Sequence, residues 1–193
     1  MSLNLNSLAE LTSIKIDRLA IETEWESFLS HNRNNIDWDF RVLLELDSFS
    51  DYFKTLLNSV CDIVQEAPKY YMLQVFDRNL FTQKQQLNIV HKDVDRNSCI
   101  TIPIIYNVME PVMFYEDIPG LVQEEYRKTN MPWPEKPTKI GRYSENHPTL
   151  VNVQKLHNVR VLDNTSPRIL LQLSFDASFD DMIEKNPAIW RII

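Results

Sequence analysis

Glycine is nearly absent: the 193 residues contain two, Gly120 and Gly141. That excludes every glycine-rich phosphate loop, because such loops need backbone that can approach a phosphate without a Cβ in the way. Turns must be built from Asn, Asp and Pro instead, as in "DNTSP" and "SENHP". Cysteine is equally scarce. Cys61 and Cys99 sit in the apolar runs "NSVCDIV" and "NSCITIPI" and read as buried, reduced thiols with no disulfide framework. An excess of basic residues is missing too: 20 Lys and Arg face 27 Asp and Glu, for a formal charge of -7 and a pI near 5.1. A partner held mainly through its phosphates needs a broad basic surface that releases counterions, so nucleic acid is not the expected partner. No apolar run reaches the roughly 18 residues that a membrane span requires. The N-terminal "MSLNLNSLAELTSIK" lacks the basic and long apolar regions of a secretory signal. A soluble, cytoplasmic chain without a membrane partner is the expectation.

What is present suits one domain over 1–193, since 44% of the residues are apolar and can bury a core. Residues 1–67 read as an N-terminal strand and helix extension. "DFRVLLEL" (39–46) has strand character. "SFSDYFKTLLNSVCDIVQE" (48–66) has Phe49, Phe53, Leu56, Leu57, Val60 and Val64 near helical spacing, with Ser48 or Ser50 as the cap. This stripe is core, not a cofactor box. After Pro68 the pattern changes. "YYMLQVF", "QQLNIVH", "CITIPII", "PVMFYE", "LVNVQKL" and "RILLQLSF" are short, β-branched or aromatic, and bounded by turn residues. Six such runs over 68–176 predict an antiparallel sandwich or barrel flanked by helices. Residues 117–148 interrupt them with a proline-rich insertion that contains "LVQEEYRKT", a short helix by pattern. Two readings stand for it, a lid over a site and a variable surface insertion. The tail 177–193 reads as one more helix.

The chemistry starts at "NIVHKDVDRN" (88–97). In an extended segment alternate side chains share a face, so His91 and Asp93 project together, with Leu87 and Ile89 on the same side. Two ionisable groups that face an interior need partners, and a metal ion is one. A His-x-Asp pair alone is a weak signal. Of the other histidines, His31 lies in the polar "LSHNRNN", His147 precedes Pro148 and could line a pocket, and His157 falls beside the penultimate strand. Arg168 opens the last strand. No acidic residue shares the face that carries Arg168, Leu170, Gln172 and Ser174. A ligand carboxylate would satisfy the guanidinium there; a surface salt bridge to Asp163 or Asp180 is the other reading.

Two histidines and one carboxylate on one metal leave coordination positions open, the arrangement of non-haem Fe(II) oxygenases. His91-x-Asp93, His157 and Arg168, in this order on β-strands, resemble the Fe(II)- and 2-oxoglutarate-dependent oxygenase family. "HKDVDRNSCITIPI" is similar to its first metal strand and the strand after it. "LVNVQKLHNVRVLDNTSPRILLQLSF" is similar to its distal-histidine and arginine strands. The likeness covers about residues 70–176. It is to the small members found in phages and marine bacteria, and more distantly to the aspartyl/asparaginyl hydroxylase branch.

The resemblance implies a double-stranded β-helix, a jelly-roll and cupin-like core, with Fe(II) at its open end and 2-oxoglutarate as cosubstrate. The implied activity is oxidative decarboxylation of 2-oxoglutarate coupled to hydroxylation of a small molecule, amino acid or protein side chain. By position His91, Asp93 and His157 would hold the metal and Arg168 the far carboxylate of 2-oxoglutarate. The hydroxyl residue that the family often carries two after the arginine is Leu170 here. Ser174, Gln74, Thr101, Tyr70 and Tyr71 are therefore the candidates for a second anchor, and Arg96 can serve the near carboxylate from its turn. A non-catalytic jelly-roll module and a metal cupin that does not use 2-oxoglutarate are the alternatives. Tyr126 and Trp133 on the insertion, with Trp38 and Tyr143, could line a substrate pocket; Trp38 reads equally as core.

Overall fold

Two faces of one β-sheet see different company, and the sequence of the last long strand shows why. In β9 (Arg168–Phe175) all eight residues are buried. Ile169, Leu171, Leu173 and Phe175 face a core shared with the helices. Leu170, on the other face, packs with Leu8, Cys99, Val112, Phe114, Tyr143 and Val151 between two sheets. A strand covered on both sides carries a continuous apolar run. The polar Arg168, Gln172 and Ser174 all fall on the inter-sheet face, the side away from the helical core.

These features belong to a computed structural model that describes residues 7–77, 79–80, 90–106, 110–117, 136–159 and 167–193. Among them are ten strands in two antiparallel sheets and three α-helices. The large sheet has the order β10-β1-β7-β4-β9-β3-β2 and the small one β6-β5-β8. Its members are β1 (Leu8–Leu11), β2 (Arg41–Leu44), β3 (Tyr70–Phe76), β4 (Ser98–Ile105), β7 (Thr149–Val151), β9 and β10 (Trp190–Ile192); β5 (Val112–Phe114), β6 (Lys139–Gly141) and β8 (His157–Val159) make the small sheet. A bridge between His91 and His157 extends the small sheet by one position. From β3 onward the chain passes back and forth between the sheets: β3 in the large one, His91 in the small, β4 large, β5 and β6 small, β7 large, β8 small, β9 large.

The helices cover the outer face of the large sheet. α2 (Asp51–Val64) buries Phe53, Leu57, Val60 and Val64 at helical spacing, and Ser50 caps it by accepting from the Phe53 N–H. This is the helix expected over 48–66. α1 (Arg18–Asn32) was not foreseen. Its buried stripe is only Ile21, Trp25 and Phe28, while Leu19 is exposed and blurs the period. Asp17 caps it, and Trp25 meets Phe28 and Trp38 ring to ring. Trp38 accordingly packs on the helical core, with its indole N–H on the Arg33 carbonyl.

Three expectations need correction. The tail is helical only over α3 (Phe179–Lys185), because Asn186-Pro187 stops the helix. Its last residues form β10 against β1, at one edge of the large sheet. "LVNVQKL" is not one strand. Its first two residues end β7 and the rest turn over 153–155, so that β8 begins just after it, at His157, in the other sheet. Cys61 is half-buried; Cys99 is buried as expected, and both are free thiols. Residues 85–89 of the strand expected over 85–91, the helix expected in 121–129, and Leu87, Ile89, Tyr126, Trp133 and Asp163 lie outside the described residues. No helix among the described residues is long and apolar enough to cross a membrane.

Candidate metal centre

His91 and His157 are cross-strand partners. Each backbone N–H donates to the other's carbonyl, at 2.9 and 2.8 Å. Directly paired antiparallel residues project side chains to one face, and the two rings lie 4.5 Å apart at their centroids. The Asp93 N–H donates to the Val153 carbonyl at 3.1 Å, and the Gln154 amide donates to the carbonyls of Asp93 and Arg96 at 3.1 and 2.6 Å. The 153–155 turn therefore clamps the His-x-Asp segment. One ligand atom from each of His91, Asp93 and His157 lies within 4.8 Å of the others, so the three can hold a metal ion.

The protonation states suit that role. His157 Nδ1–H donates to the Lys155 carbonyl at 2.8 Å, which leaves Nε2 with its lone pair free to ligate. Burial, reinforced by the neighbouring His91, pushes the His157 ring down to about 4, so it is a neutral imidazole at neutral pH. Asp93 is fully buried. Burial alone would raise its carboxyl, but Arg96, His157, His91 and Arg41 outweigh that and hold it well below the usual carboxylate range. Two imidazoles and one carboxylate are the donor set of several divalent transition metals.

Around the triad stands a cationic shell. Arg96, 5% exposed, donates from Nε to Asp93 Oδ2 at 2.7 Å, and from a terminal nitrogen to Gln172 Oε1 at 3.1 Å and Ser174 Oγ at 3.0 Å. Gln172 in turn donates to Thr101 Oγ1 at 3.2 Å. The other carboxylate oxygen, Asp93 Oδ1, is 3.6 Å from His91 Nε2 and 3.7 Å from an Arg41 terminal nitrogen.

Arg168 stands at the far end of the same β9 face. Six residues of strand separate it from Ser174, roughly 20 Å of backbone, so the two do not form one anchor. The surface reading of Arg168 is wrong: it is 3% exposed. Nor does it lack an acidic neighbour. Glu110, also buried, places Oε2 3.4 Å from Arg168 Nε. Phe76, Tyr106 and Tyr143 put their rings 5.4 to 6.0 Å from the guanidinium. One terminal nitrogen donates to Gln74 Oε1 at 3.3 Å; the other makes no hydrogen bond. Burial pushes the Tyr106 phenol up to about 12, with Arg168 beside it opposing. The Tyr143 phenol, buried in the inter-sheet core, feels both Arg168 and Arg96.

Of the expected residues, then, His91, Asp93 and His157 come together. Ser174 and Thr101 join the network around Arg96 and Gln172, and Gln74 joins Arg168. His147 donates its Nδ1–H to the Ile14 carbonyl, and His31 is exposed in the last turn of α1. Arg41, Glu110 and Gln154 were missed. Nothing local marks them: each reaches the site from another element. No protein-family model matches the chain, and no curated protein matches it.

Proposed function

We propose that the protein is an Fe(II)- and 2-oxoglutarate-dependent dioxygenase on a double-stranded β-helix, which couples oxidative decarboxylation of 2-oxoglutarate to hydroxylation of a small-molecule or peptide substrate. The observation that carries this reading is the triad: His91, a neutral His157 and a buried, ionised Asp93 whose ligand atoms lie within 4.8 Å of one another, with no fourth His, Cys, Asp or Glu in the group among the described residues. Such a set leaves positions for a chelating cosubstrate. The passage of the chain between two antiparallel sheets from β3 to β9 supports the β-helix.

In this reading His91, Asp93 and His157 hold the iron, which supplies a chelation site for the 2-oxo acid and redox chemistry with dioxygen. Arg96 fixes the Asp93 carboxylate through Oδ2. Arg168, with a hydrogen-bond-free nitrogen in a buried aromatic cup, takes the distal carboxylate, with Gln74 beside it. One observation favours a second reading. Glu110 already gives Arg168 a carboxylate, which suits a metal-binding barrel that does not use 2-oxoglutarate.

Succinate formation decides between them. Purified protein given Fe(II), 2-oxoglutarate and dioxygen should release succinate, and His91→Ala should abolish this. Metal binding without any succinate would support the second reading. Succinate release that survives in His91→Ala would contradict the first.

A further inference from the structure

Among the described residues at the triad, Arg41 approaches Asp93 without a hydrogen bond to it. It lies on β2, the edge strand of the large sheet, opposite Gln74 in the register, so its side chain points to the inter-sheet face. It is about a third exposed, whereas Arg96 on the other side of Asp93 is buried. Its terminal nitrogen is 3.7 Å from Asp93 Oδ1, too far for a hydrogen bond. Arg96 already occupies Oδ2, and Oδ1 is the oxygen that faces His91. An ion held by Oδ1 at an ordinary metal–oxygen distance of about 2 Å lies within about 6 Å of that nitrogen. One carboxylate would then sit among a divalent cation and two guanidinium groups. Among the described residues here, positive charge then exceeds negative unless a further anion enters, and Arg41 is the more exposed of the two guanidinium groups.

We propose that Arg41 is an anion receptor at the mouth of the metal centre, which pairs with a carboxylate on the ligand that fills the metal's open positions. The inference rests on the triad being a metal centre, and it adds the residue of this chain that meets the metal-bound carboxylate. It also makes the metal and the anion mutually dependent. Without an anion Arg41 repels the metal. With a carboxylate between them Arg41 supports it. Coupling between two ligands is reciprocal, so the effect is readable from the metal side alone.

The test is a titration of the full chain with Mn(II), in wild type, Arg41→Gln and Arg41→Lys, each alone, with saturating oxalate and with saturating succinate. Oxalate chelates a metal as the carboxylate end of a 2-oxo acid does; succinate does not form that five-membered chelate. The effect of removing Arg41 should reverse sign. Without anion, Arg41→Gln should bind Mn(II) about three- to tenfold more tightly than wild type, since a partly screened like charge is gone. With the anion it should bind more weakly than wild type. Arg41→Lys, which keeps the charge, should follow wild type in every arm. Reversal with oxalate supports the proposal; reversal with succinate alone puts the carboxylate on a molecule that does not chelate the metal and overturns it. If Arg41→Gln weakens Mn(II) equally in all arms, Arg41 merely props Asp93 and the proposal fails. If it changes nothing in any arm, the proposal also fails. A wild-type chain that binds no Mn(II) at all removes the metal centre itself and the inference with it.

Discussion

Glu110→Gln isolates the buried guanidinium of Arg168. Both side chains are 3% exposed and approach to 3.4 Å. Removing one partner of a buried ion pair leaves a charge without compensation and costs about 3–5 kcal/mol. For a chain of this length each kcal/mol lowers the melting temperature by about 2–4 °C, so a fall of roughly 6–20 °C is expected. The same vacancy makes Arg168 a better receptor for a ligand carboxylate. In wild type the ligand must displace Glu110; in the variant it need not. Under metal-loaded conditions, 2-oxoglutarate at a hundred times its dissociation constant should return about 2.7 kcal/mol, and the variant should reach that saturation at lower concentration than wild type. The assay is urea unfolding at fixed Mn(II), with and without 2-oxoglutarate, on both proteins. If the variant gains no more from a given 2-oxoglutarate concentration than wild type does, Arg168 is not the carboxylate site and the second functional reading prevails.

Other perturbations follow from the same geometry. Arg96→Leu removes the hydrogen bond that orients Asp93 Oδ2 and should weaken Mn(II) binding about 10–100-fold, as loss of an outer-shell partner does; unchanged affinity would show that the turn alone holds Asp93. In metal-free protein, the lowered His157 pKa means that the unfolded chain takes up a proton before the folded one does. Stability is therefore fully present above about pH 6.5 and lost as pH falls toward about 4, by a few kcal/mol, and His157→Gln should lack that slope in pH-dependent unfolding. Trp25→Ala empties a buried ring position against Phe28 and Trp38 and should cost about 3–5 kcal/mol in urea unfolding; a loss below 1 kcal/mol would make α1 a loosely attached extension.

Legibility in the sequence followed how local each signal is. β3 and β9 stand where "YYMLQVF" and "RILLQLSF" placed them, because turn residues bound each apolar run. α2 shows in its own stripe and cap. α1 does not, because three apolar contacts per helix suffice only once Trp38 and Phe49 are folded against it. The C-terminal strand was hidden because "AIWRII" has no partner until β1 arrives from the other end of the chain. The three possible ligands were readable because their residue types are rare and two share one face of an extended segment. Their surroundings were not. Arg96 is three residues from Asp93 and looks like a solvated turn, yet cross-strand Gln172 and Ser174 bury it. Glu110 meets Arg168 only through the fold, so the absence of an acid on the β9 face was true of the strand and misleading for the site.

The central claim is that a metal in the His91–Asp93–His157 triad and 2-oxoglutarate share one site. Calorimetric titration of 2-oxoglutarate into the full chain, with and without Mn(II), tests it most directly. The account predicts one 2-oxoglutarate per chain when Mn(II) is present, and at least tenfold weaker binding without metal or in Asp93→Ala, about 1.4 kcal/mol or more. Equal affinity with and without metal, or no binding in either state, would contradict it.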